Sequence, residues 1–154
     1  FGPVPAALTS RSPQWIVIPR AENRLTSREL GLVINTADVE LAASWYQRVL
    51  GMEREEFGPD NRTALKFGGQ KINLRPHDAD ARSWFTGVNA KPGAADLCFV
   101  TAVGPEDVVE HLHDCGIAIE AGPVAKEGAL GAIQSVYCRD PDGNLIEISS
   151  YLNR

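Results

Sequence analysis

An internal repeat constrains this chain more than any other feature: residues 30–75 and 95–149 pass through the same order of elements, strand–helix–three strands. A repeated unit predicts which strands occupy equivalent places and which side chains face the same way. In the first copy, Leu30 to Asn35 (LGLVIN) is a short apolar run rich in β-branched residues, and it reads as a buried strand. Asp38 stands where its carboxylate can accept the free N–H groups at a helix start. Val39, Ala42, Tyr46 and Val49 recur at three- and four-residue steps and give that helix one apolar face. Gly51 supplies the left-handed stop. Strand-like runs follow at 52–57, 62–68 and 70–75, separated by the turn-forming Pro59-Asp60-Asn61 and Gly68-Gly69.

After a polar link at 76–93 the pattern restarts. Asp96 to Thr101 (DLCFVT) reads as a strand, Pro105 takes the favoured first helical position, and Val108, Val109 and Leu112 form the apolar face. Gly116 ends the helix, and strand-like runs recur at 117–120, 133–139 and 144–151. The last two flank Asp140-Pro141-Asp142-Gly143-Asn144, a tight hairpin signal that reads as a turn rather than a site. Gly122, Gly128 and Gly131 fall in a loop that lacks any nucleotide-binding glycine pattern. The chain therefore divides into an arm at 1–28 and one domain at 29–154, made of modules 29–75 and 94–152. The arm carries the apolar run Trp15-Ile16-Val17-Ile18, closed by Pro19, which suits an extra strand or a segment packed on the body. The predicted class is α+β: two βαβββ modules forming curved mixed sheets around a cavity, with the helices outside.

Setting the two copies side by side pairs Gly31 with Asp96 and Asn73 with Glu147. Side chains alternate across a strand, so Gly31, Val33 and Asn35 share one face while the larger Leu32 and Ile34 face the helix. The same parity turns Asn73 and Arg75, and in the second copy Asp96, Cys98 and Glu147, toward the cavity.

Composition narrows the function classes. With 44% apolar and 23% charged residues the chain is an ordinary globular one, and its net charge of -5 without a basic stripe argues against nucleic acid. No apolar run approaches the roughly 20 residues that cross a bilayer. Residues 1–12 lack the charged start and apolar core of a secretory leader. Cys98, Cys115 and Cys138 are odd in number, lack CxxC spacing and sit in or beside apolar stretches, which suits free thiols in a reducing, cytoplasmic setting.

Several local strings are similar to the vicinal oxygen chelate superfamily, which includes glyoxalase I, bleomycin-resistance proteins and extradiol dioxygenases. They are Trp45-Tyr46-Gln47-Arg48-Val49-Leu50-Gly51-Met52 and Arg139-Asp140-Pro141-Asp142-Gly143-Asn144-Leu145-Ile146-Glu147. Gln70-Lys71-Ile72-Asn73-Leu74 and Gly128-Ala129-Leu130-Gly131-Ala132-Ile133 resemble its glyoxalase-domain-containing-5 branch. The resemblance covers about residues 29–152. It implies a homodimer, a small oxygen-rich ligand and, in metal-bearing members, His or Glu ligands at the positions of Gly31, Asn73, Asp96 and Glu147. Here only Glu147 has the usual type, Gly31 supplies no donor, and Arg75 stands where the branch tends to carry His.

Two carboxylates and an amide allow, without requiring, a weakly held hard divalent ion on Asp96 and Glu147; no other cofactor is suggested. Asp96 and Glu147 facing one apolar cavity also make an acid–base pair, in which one carboxyl would stay protonated and Asn73 or Arg75 would hold a substrate oxygen. Arg75 suits either an ion pair with Glu147 or Asp96 or a clamp on an anionic ligand. Trp84 and Phe85 in the link suit an interface plug, packing or a lid. Tyr137, with Val33, Asn35 and Cys98, is a further candidate for ligand contact. His77 reads as a loop residue, His111 and His113 as solvent-facing. No cysteine has a histidine partner by context, which argues against nucleophilic catalysis. The expected function is a lyase-, isomerase- or cyclase-type enzyme. A non-catalytic binder is the second reading, and a metal-dependent glyoxalase or dioxygenase the third.

Overall fold

The computed structural model describes residues 30–152; the run at 15–18 and the rest of the arm lie outside them. The order is β1 (Gly31–Thr36), α1 (Val39–Leu50), β2 (Glu53–Phe57), β3 (Arg62–Phe67), β4 (Gln70–Pro76), β5 (Asp96–Thr101), α2 (Pro105–Asp114), β6 (Ile119–Gly128), β7 (Gly131–Arg139) and β8 (Leu145–Tyr151). The strands form two four-stranded mixed sheets, ordered β1-β4-β3-β2 and β5-β8-β7-β6. In each, the first and last strands of the module pair in parallel and the remaining neighbours are antiparallel. The expected α+β fold of two βαβββ modules therefore forms.

Local chemistry sets the boundaries. The Asp38 carboxylate accepts the Leu41 N–H at 3.0 Å, and Gly51 stops α1 at φ 65°. Gly104 caps α2 without a side chain, Pro105 follows, and Glu106 and Asp107 lie at the positive end of the helix dipole. On the helix-covered sides, Ala42, Trp45, Tyr46 and Val49 pack with Leu65, Ile72 and Leu74, and Val108 and Leu112 pack with Val136, Ile146 and Ile148. All belong to one core cluster, joined across the modules by an edge-to-face contact of Phe67 and Phe99 at 5.5 Å.

The Asp140–Asn144 turn is a turn, and it is also the polar hub of the domain. Asp140 is 5% exposed and accepts four hydrogen bonds: from the Tyr46 hydroxyl on α1 at 2.9 Å, from the Asn144 amide side chain, and from the Asp142 and Asn144 N–H groups. Asn144 Oδ1 accepts Ala95 N–H beside β5, and Asp142 Oδ1 accepts Ala37 N–H between β1 and α1. One five-residue turn thus ties both modules together. Burial, followed by the Asp140 charge, holds the Tyr46 phenol far above its ordinary value, so it remains a donor.

The second module departs from expectation at β6, which runs through Gly122 and Gly128 rather than ending near residue 120. Glycine and proline normally break strands, but β6 is an outer strand and accommodates Gly122-Pro123 at the second of two register shifts, between Ala121 and Val124. Gly122 has φ +110°, and a side chain there would collide with the backbone of Ser135 and Val136.

Candidate functional site

Each sheet has one face under its helix and one open face, and the expected alternation holds. On β5, Leu97 and Phe99 pack on the core while Asp96, Cys98 and Val100 are exposed. On β1, Ile34 is buried and Val33 is 42% exposed. The register confirms the repeat: Val33 lies opposite Asn73 as Cys98 lies opposite Glu147, and Ala64 faces Asn73 as Tyr137 faces Glu147.

The second sheet carries a converged polar cluster. Glu147 Oε1 accepts the hydroxyls of Ser135 at 2.6 Å, Tyr137 at 2.9 Å and Ser149 at 3.2 Å. The Ser135 and Ser149 oxygens are 2.9 Å apart, and Cys98 Sγ lies 3.4 Å from Ser149 Oγ. Partial burial opposes ionisation of Glu147, but these donors outweigh it and hold the carboxyl below its usual range. Glu147 is therefore a carboxylate near neutral pH, suited to accept a proton; the acid role suggested for one of the two carboxyls does not fall to it. All three hydroxyls meet Oε1, and the Cys98 thiol is a further hydrogen-bonding neighbour of the carboxyl group. Tyr137 is raised, first by desolvation and then by its bond to Glu147. Cys98, exposed as a residue but with its sulfur partly desolvated, is also raised, and the Glu147 and Asp96 charges add to this, so it is a thiol rather than an activated nucleophile. Asp96 is exposed at the start of β5. Ser135 and Ser149 were not singled out from the sequence, although they share strand parity with Tyr137 and Glu147.

The first sheet is arranged differently. Arg75 is 2% exposed, yet it makes neither the expected bridge to Glu147 or Asp96 nor an open clamp. Its guanidinium donates to Asn35 Oδ1 at 2.9 Å and to the carbonyls of Trp84, Pro76 and Ala79. Asn35 in turn donates to Thr86 Oγ1 at 3.1 Å. The link thus folds back and closes the end of the face on which Asn35 and Arg75 lie. Trp84 packs under the Arg62 guanidinium, 4.4 Å from its ring centroid, and lines a small cleft of ~370 Å³; Phe85 is 83% exposed. The buried Asn73 Oδ1 has no donor. Lys71, which shares parity with Asn73 and Arg75, crosses the face to Phe57 and Glu55.

A groove of ~1220 Å³ runs beside the outer strands β1 and β5, with Leu32, Phe67 and Phe99 on its walls and Asp96 and Cys98 at its rim. His111 is exposed but not free: its Nε2–H donates to the Val49 carbonyl at 2.9 Å. Cys115 Sγ lies 3.7 Å from the same nitrogen, a pairing one helical turn apart that context did not suggest. Because that nitrogen carries its proton toward Val49, it is not a base for the thiol.

The residues at the four equivalent positions do not fit a metal ion. Gly31 has no donor, one Glu147 oxygen is taken by hydroxyls, and no three His, Cys, Asp or Glu among the described residues come together to hold one. No helix among them is long and apolar enough to cross a membrane.

A two-module sheet pair with open faces defines a glyoxalase-like domain, and the chain belongs to the Glyoxalase/Bleomycin resistance protein/Dioxygenase superfamily, whose family model matches residues 30–148. It is 45% identical over 121 residues to Virulence protein STM3117 of Salmonella typhimurium, covering 79% of this chain and 82% of that protein. It is 44% identical over 133 residues to Glyoxalase domain-containing protein RDO1 of Mycosarcoma maydis, covering 86% and 73%. Among solved structures, an integron cassette protein from V. Cholerae matches at 45% identity with a TM-score of 0.76, covering 81% of this chain and 95% of that one. Lactoylglutathione lyase from Agrobacterium tumefaciens shares the fold at 22% identity and a TM-score of 0.61, covering 79% and 91%.

Proposed function

We propose that this protein is a small-molecule enzyme of the lyase, isomerase or cyclase type, in which Glu147 is the general base. The observation that carries this reading is the three-hydroxyl cradle on Glu147 Oε1, which leaves a preoriented, ionised carboxylate whose second oxygen is not taken by those hydroxyls. Fixing one oxygen removes the reorganisation that proton transfer would otherwise require. Asp96 and Cys98, neighbours on β5, supply further polar contacts for an oxygen-rich ligand. Exposed Val33 and Val100 on the open faces support a homodimer in which a second copy covers them.

Incubation of the purified chain with a small-molecule extract, followed by untargeted mass spectrometry, tests the reading. A compound should be consumed, with a product of equal mass or one lacking a small neutral fragment, and Glu147→Gln should abolish the change. A compound recovered chemically intact and retained equally by Glu147→Gln would make the protein a binder instead.

A further inference from the structure

The first sheet's open face concentrates cations in a chain whose net charge is -5. Lys71, Asn73 and Arg75 alternate along β4 and so present three donor side chains on one side, about 7 Å apart. Lys71 Nζ sits 3.7 Å from the Phe57 ring centroid and 3.5 Å from Glu55 Oε2. Lys66 Nζ lies 3.7 Å from the other oxygen of the same carboxylate. One glutamate therefore serves two ammonium groups, and Glu53, opposite Lys66 in register, pairs with neither. Arg75 adds a buried charge with no carboxylate within bridging distance among the described residues.

We infer that this face is an anion-binding surface, on which Lys71 and Asn73 receive a carboxylate or phosphoryl group of the ligand. The Phe57 ring and Glu55 hold the ammonium across the sheet, so it is placed before the ligand arrives. Asn73 supplies amide N–H donors, and Arg75, two residues further along the same face of β4, adds a charge with no carboxylate partner among the described residues. The ligand is then an organic acid or phosphoester rather than a neutral or cationic compound. This rests on the reading that the open faces receive the substrate.

Titration of the full chain with inorganic phosphate and, separately, malonate at constant ionic strength, followed by backbone amide NMR shifts, tests the inference. Saturable shifts should centre on Phe57 and residues 71–75, and the anion that binds more tightly identifies the phosphoryl or carboxylate source. Lys71→Met should weaken binding about tenfold, the loss of one charged hydrogen bond, while Lys91→Met in the link, with the same change of net charge, should not. Phe57→Leu, which keeps the charge but removes the ring, should weaken it about threefold. Absence of saturation with both anions, or equal affinity of wild type and Lys71→Met, would overturn the assignment. That outcome leaves the Glu147 reading to its own mass-spectrometric test.

Discussion

Asn73 and Glu147 stand at equivalent places, each on the last strand of its module and each turned to the open face. The amide buries an oxygen that meets no donor, while the carboxylate receives three hydroxyls. The contrast extends along both strands. β4 presents Lys71, Asn73 and Arg75; β8 presents Glu147 and Ser149. Under the helices the modules are interchangeable in kind, with Leu65, Ile72 and Leu74 answered by Val136, Ile146 and Ile148. Burial against a helix demands size and apolarity, and both copies meet that demand. The open face carries no such demand, so one scaffold holds a donor-rich surface and an acceptor-rich one.

The comparison breaks most readily at the hub that joins the modules. Asp140→Ala strands the Tyr46 hydroxyl, the Asn144 amide and two N–H groups, and should cost about 3 kcal/mol or more in urea denaturation. If the two modules then unfold in separate transitions, the turn is what makes them one unit. Next in size is Arg75→Met, which removes four bonds, two of which, to the Trp84 and Ala79 carbonyls, hold the link to the first sheet. A loss of about 2 kcal/mol is expected, with amide exchange quickened in residues 76–86 and unchanged on β7 and β8; equal quickening in both modules would contradict the local role.

Acid sharpens the comparison further, because only Glu147 of the equivalent pair titrates. Its folded value is depressed, so its stabilising contribution is complete above about pH 4.3, the ordinary glutamate value, and fades as pH falls through the depressed one. Glu147→Gln should flatten the acid limb of the stability curve, and a superimposable limb would remove the cradle's energetic meaning. Thiol labelling should follow exposure, Cys98 before Cys115 before Cys138, whose thiol burial pushes up to about 11. The smallest effect is expected for Asn73→Ala, within about 1 kcal/mol of zero, because the buried oxygen it deletes has no partner to lose.

Much of this architecture was legible in the residues. Asp38, Gly51 and Pro105 mark helix ends through backbone chemistry that acts within a turn, and those boundaries hold. Strand parity likewise located the open faces. It did not reveal what else touches them: Arg75 faces the expected side but is claimed by carbonyls of a link nine residues on, a contact set by how the link folds back. Ser135 and Ser149 carry no signal in the sequence because serine alone has no chemical signature; only convergence on one carboxylate gives these two a role. The full length of β6 is hidden for a related reason, since the meaning of Gly122-Pro123 depends on whether the strand is inner or outer.

Sheet order also decides how such a chain can meet its own kind. Among the described residues, two of the four outer strands are defended against further pairing: β2 by the run Glu53-Arg54-Glu55-Glu56, and β6 by a proline that lacks an N–H and by two shifts of register. The other two, β1 and β5, read GLVINT and DLCFVT, without lysine, arginine, proline or bulge. Open-ended stacking into fibres is blocked at β2 and β6. Among the described residues, the strand edges without such protection are therefore those of β1 and β5, beside the apolar walls of the groove.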